Sequence, residues 1–83
     1  VNYKERYTAN PMGVNATFTI TGSQLGGFLA VTAGTITVTD ADGTVEVNAF
    51  PCAAGQYVPL PLLLNTIGGT VTLAGGASGT LLT

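Results

Sequence analysis

Apolar and polar residues alternate most strictly from Gly34 to Val47, GTITVTDADGTVEV. Ile36 and Val38 fall on one face of the first run, with Thr35, Thr37 and Thr39 on the other. Val45 and Val47 share a face in the second run, opposite Thr44, Glu46 and Asn48. A period of two in β-branched residues, interrupted by Asp40-Ala41-Asp42-Gly43, predicts a β-hairpin with one buried face. A four-residue loop sets Thr39 opposite Thr44, Val38 opposite Val45 and Ile36 opposite Val47. A three-residue loop without a compensating bulge would set Val38 against Glu46 and mix the faces. Parity therefore selects the even loop, with Gly43 at the φ > 0 position that closes it.

Weaker versions of the same signal run along the chain. Thr17-Phe18-Thr19-Ile20-Thr21 alternates with Phe18 and Ile20 inward, and Gly22-Ser23 ends it. Phe28-Leu29-Ala30-Val31 is a short continuous apolar run that suits a buried strand. Pro59 and Pro61 in VPLPLLLN share a parity, so their missing N–H groups point to one side, as on an edge strand or at a sheet margin. Gly69-Thr70-Val71-Thr72-Leu73, a loop and Gly79-Thr80-Leu81 repeat the pattern of Gly34 to Val38 and Gly43 to Val45, starting 35 residues later. Two related hairpins predict a two-sheet sandwich with a rough internal repeat. The fold class is all-β, a small sandwich or jelly-roll-like domain of about six to eight short strands. Its expected core is Phe18, Ile20, Leu29, Ile36, Val38, Val45, Val47, Val71 and Leu73.

Residues 1–13, VNYKERYTANPMG, show no such period and read as an extended N-terminal arm on a sandwich domain spanning 14–83. The arm holds both basic residues, Lys4 and Arg6, and with Glu5 carries a formal charge of +1; Asp40, Asp42 and Glu46 give the remainder −3. Tyr3 and Tyr7 flank the basic pair. Tyrosine and arginine are enriched at interface anchors, so Tyr3, Lys4, Arg6 and Tyr7 are the candidate partner-binding residues.

Composition sharpens this picture. A domain of 83 residues buries only about 60% of its unfolded surface. With one cysteine and no histidine it has neither an intrachain disulfide nor a Cys/His zinc site to staple it. Oligomerisation or docking on a partner is the expected substitute. Only 7% of residues are charged, against about 25% in ordinary soluble domains, which suits life inside an assembly. A net charge of −2 without a basic stripe argues against a nucleic-acid partner. The richest apolar stretch, Leu60 to Leu64, falls far short of the roughly 18 residues that cross a membrane. VNYKERY has no apolar core of a signal peptide, and a free Cys52 fits synthesis in a reducing compartment.

Candidate chemistry is sparse. Without histidine there is no Ser-His-Asp or Cys-His arrangement, and Ser23 and Ser78 sit in glycine-rich turns. Cys52 has no basic neighbour in sequence and reads as a small buried or loop thiol. Asp40-Ala41-Asp42-Gly43 resembles the opening of a calcium loop but lacks the distal acidic ligands, so it reads as an Asx turn. The glycine pairs form no phosphate-binding pattern. The expectation is a non-enzyme with no catalytic residues, no cofactor and no metal site.

In segment order, GGFLAVTAGTITVTDADGTVEV, VPLPLLLNT and GGTVTLAGGASGTLLT resemble the small Thr/Gly-rich β accessory proteins of tailed-bacteriophage capsids, over residues 22–83. The resemblance implies a structural virion protein, a decoration or cement protein that binds and stabilises the head shell. It implies the major capsid protein and other copies of the chain as partners. A trimer comes first, because capsid surfaces offer three-fold positions. It also implies synthesis in the host cytoplasm and final residence on the capsid surface. The family supplies no catalytic residues. The rival reading is a sugar-binding or adhesive β-module of a tail spike, tail fibre or bacterial surface appendage. Such a module would cluster exposed aromatics, and here they are few, with no tryptophan.

Overall fold

Isolated apolar residues set between threonines and glycines can each bury only one face of a strand, and a pair of sheets is the way to cover both inner faces. The chain solves this with eight strands among its described residues. They are β1 (Ala9–Met12), β2 (Thr17–Thr19), β3 (Gly27–Thr32), β4 (Gly34–Thr39), β5 (Val45–Cys52), β6 (Tyr57–Pro59), β7 (Thr70–Ala74) and β8 (Ser78–Leu82). This computed structural model describes residues 7–20, 25–60 and 68–83. Two antiparallel four-stranded sheets form, in the orders β1-β8-β3-β6 and β2-β7-β4-β5. The architecture is the expected all-β one.

The core lies between the sheets. Ile36 and Val38 on β4 pair directly with Leu73 and Val71 on β7, and all four are 0–1% exposed. Ile20 joins them from the end of β2, with Phe18 and Val47 packed at the margin. The other sheet contributes Met12, Phe28, Ala30, Val58 and Leu81. Burying a side chain of this class contributes about 1.5–3 kcal/mol. Phe28 is the largest fully buried side chain, and its ring is admitted by Gly79 on β8. A Cβ at position 79 would fall 2.7 Å from Phe28 Cζ and strike the Leu29 carbonyl oxygen. Only glycine fits that crossing.

The hairpin forms, but in another register. Gly43, at φ 93°, closes the turn as predicted, donating its N–H to the Asp40 carbonyl at 3.1 Å, while the Asp40 N–H donates to the Thr44 carbonyl at 2.8 Å. The loop is the three residues Ala41-Asp42-Gly43, so Thr39 faces Val45, and a bulge that takes up Glu46 between Thr39 and Val38 brings Val38 opposite Val47. A second bulge sets Asn48 and Ala49 together against Thr37, and Ile36 faces Phe50. Ala49 takes φ 48° there, and its N–H donates to Thr37 Oγ1 at 3.0 Å. Val45, expected in the core, is 49% exposed as a result.

Three further expectations change. In β3 it is Phe28 and Ala30 that point inward, and Leu29 is 44% exposed. The repeat over residues 69–81 is not a second hairpin: β7 and β8 lie in different sheets. Gly75 and Gly76, at φ 69° and 90°, carry the chain across, and among the described strands β4–β5 is the only sequential pair that stays within one sheet. Finally, part of the expected arm is β1, paired with β8, and Met12 reaches the core. Its period is masked by an inward Asn10, whose amide donates to the Thr8 and Leu81 carbonyls and to Thr83 Oγ1. Pro11, Pro51 and Pro59 all sit on edge strands, β1, β5 and β6, where a missing donor is tolerated. The expectation for Pro59 thus holds, while Pro61 lies outside the described residues.

The two valines of the hairpin provide the test. Val38→Asp buries a carboxylate without a partner and should cost about 3 kcal/mol or more. Val45→Asp should change stability by about 0.5 kcal/mol or less, as a surface substitution does. Urea unfolding of both variants distinguishes this register from the even-loop one, in which both would be severe.

Candidate interaction surface

Because Phe28 and Ala30 face the core, their neighbours Leu29 and Val31 must face outward. On the outer face of the first sheet, Leu29 lies between Tyr57 on β6 and Thr80 on β8, and Gly27 between Pro59 and Leu82. Ala9 and Pro11 on β1 complete the rows beside Leu82 and Thr80. Val31, in a bulge of β3, is 61% exposed and Tyr57 is 48% exposed. Gly27 seats the Tyr57 ring: a Cβ there would strike the ring and its hydroxyl. The same hydroxyl donates to the Gly26 carbonyl at 3.3 Å. This face carries no charged side chain among the described residues.

A second apolar feature adjoins it. Where the free edges of β5 and β6 face each other, a cleft of about 260 Å³ opens between Val47 and Phe50 on one side and Tyr57 to Leu60 on the other. Its floor belongs to the sandwich core, since Val58 and Leu60 are buried.

Among the described residues, charge is confined to the β4–β5 hairpin. The Asp42 N–H donates to Asp40 Oδ1 at 3.1 Å and the Thr44 N–H to Asp42 Oδ1 at 3.0 Å, the Asx turn expected of this loop. Hydrogen bonding with Asp40, then with the side chain and backbone of Thr44, holds the Asp42 carboxyl below its ordinary range. Glu46 is pushed up, first by hydrogen bonding to Asp40, then by desolvation and by the charges of Asp40 and Asp42. Among the described residues no group of three His, Cys, Asp or Glu side chains is placed to hold a metal ion.

Of the four anchor candidates, Tyr3, Lys4 and Arg6 lie outside the described residues. Tyr7 is 38% exposed, and its ring packs on the Gly26 backbone, where a Cβ would fall 2.7 Å from Tyr7 Cε1. Cys52 is buried, its thiol directed at the Gly34 carbonyl at 3.6 Å. The outer face of the first sheet was not among the sequence candidates. Its signal lay in Phe28-Leu29-Ala30-Val31, where both parities are apolar and one of them must face out of a sandwich. Comparison with protein-family models, with curated proteins and with solved structures finds no match.

The acidic tip yields a pH-dependent prediction. A carboxyl whose folded pKa lies above its unfolded value binds its proton more tightly in the fold, so ionisation of Glu46 works against folding. Glu46→Gln should therefore melt above the wild type near neutral pH, with the gap closing as pH falls through the carboxylate range and the wild-type group protonates. Melting curves from about pH 7 to about pH 3 read the effect.

Proposed function

We propose that this chain is a structural virion protein, a decoration or cement protein that binds the outside of a tailed-bacteriophage head shell and stabilises it. One observation carries the reading: a small all-β domain presents a sheet face that is apolar and uncharged among its described residues. Such a face suits standing neighbours better than open solvent. A small domain without staples gains stability from that environment, since anything that binds the folded state alone favours folding.

In this reading the partners are the major capsid protein and other copies of the chain, and the work is done by binding rather than by chemistry. Tyr3 and Tyr7 supply apolar contact area, and Lys4 and Arg6 pair with acidic groups on the shell. Several chains held in one oligomer bind together, so individually weak contacts sum to a firm attachment. The protein is made in the host cytoplasm and ends on the capsid surface.

Co-sedimentation with undecorated heads tests this. The wild type should pellet with the heads, and Lys4→Glu/Arg6→Glu should lose about tenfold or more in affinity while its circular dichroism and melting temperature stay unchanged. A wild type that stays in the supernatant sinks the reading, and binding to a glycan array instead would support the adhesive module. If the variant pellets as well as the wild type, the shell contact lies on the sandwich.

A further inference from the structure

We propose that the outer face of the β1-β8-β3-β6 sheet is a self-association surface. A second copy packs on it face to face, about a two-fold axis parallel to the strands. This deepens the self-association half of the function proposed above and rests on that half alone; the shell plays no part in it.

The edges offer a poor alternative. Strand addition needs a free row of N–H and C=O groups, and β1, β5 and β6 each carry a proline, with two irregularities in β5 besides. The face is open by contrast. Leu29, Val31 and Tyr57 stand 44%, 61% and 48% exposed on it.

Charge placement favours a second copy of the chain as the occupant. Asp40, Asp42 and Glu46, the charged residues among those described, all belong to the β4–β5 hairpin of the opposite sheet. Face-to-face packing therefore sets no described charge against its own image and keeps the two acidic tips on the far sides of the pair.

Relief favours it too. In the rows of Leu29 and Val31 the β3–β6 half of the face is high, with these two and Tyr57, while the β1–β8 half is low, with Pro11, Ser78 and Thr80. In the next row the relief is reversed, Leu82 on β8 standing beside Gly27 on β3. A two-fold axis along the strands lays β6 over β1 and β3 over β8, high half on low half in both copies. Aligned sheets packed about 10 Å apart interdigitate in this way.

The size of the face sets the strength. Four strands about 4.8 Å apart, each about five residues of 3.3 Å, span roughly 300–400 Å² per copy. A standard interface takes about 800 Å² per partner, so this is a weak dimer in free solution, with a dissociation constant on the order of 0.1 mM. Such a contact becomes firm where a scaffold holds copies close together. It joins copies in twos and consumes the face, so a trimer of the kind the resemblance implies would need another surface.

Sedimentation velocity on the free 83-residue chain, from about 10 µM to about 1 mM, tests the proposal without any capsid. The wild type should pass from its 8.3 kDa monomer to a dimer over this range. Leu29→Lys should weaken the dimer about tenfold or more. Val45→Lys, at an equally exposed apolar position on the other sheet, should dimerise like the wild type. Circular dichroism confirms that both variants are folded. A wild type monomeric throughout, a trimer in place of the dimer, a Leu29→Lys that dimerises normally, or a Val45→Lys as defective as Leu29→Lys would each overturn it.

Discussion

The fit of the Phe28 ring over Gly79 is the contact on which the arrangement of the first sheet depends. Ala30 pairs with Gly79, and the missing side chain there is the space the ring occupies. Inverting β3 would remove the largest side chain of the core and leave that space empty. Cores tolerate neither a void of this size nor an extra methyl group in its place. With Phe28 and Ala30 committed inward, pleating sends Leu29 and Val31 outward. The apolar outer face is thus a geometric consequence of how the inner face is filled.

A second constraint is the shortage of charge. Soluble sandwiches usually keep their outer faces wet with charged and polar side chains and guard their edges with lysine. Here the guarding falls to proline and to bulges, which block strand pairing without adding charge. Pro11, Pro51 and Pro59 sit on three of the four edge strands, and the fourth, β2, is only three residues long. An apolar face with blunted edges leaves contact through the face open and hinders strand addition at the edges.

The periodic part of the fold is legible in the chain. Ile36, Val38, Val71 and Leu73 each stand alone between threonines, so only one parity can be buried, and all four are in the core. The Asx turn, the positive φ of Gly43 and the edge position of Pro59 follow equally from local chemistry. The hairpin register turned on a bulge, and bulges leave no mark in an alternation beyond a shift of parity. β1 turns Asn10 inward, its amide hydrogen-bonded, where an alternating strand would set an apolar residue, so no periodicity announced it.

Local patterning along the chain was therefore enough to determine the all-β class and the central core. The assignment of strands to sheets was beyond it, because a glycine turn that closes a hairpin and one that crosses a sandwich look alike in sequence. The matching runs Gly34–Val45 and Gly69–Leu81 make the point, the first a hairpin within one sheet and the second a crossing between two. The same holds for the candidate surface. Nothing within Phe28-Leu29-Ala30-Val31 says which parity is buried; the choice was made by Gly79, some fifty residues away, through the volume its missing side chain leaves free.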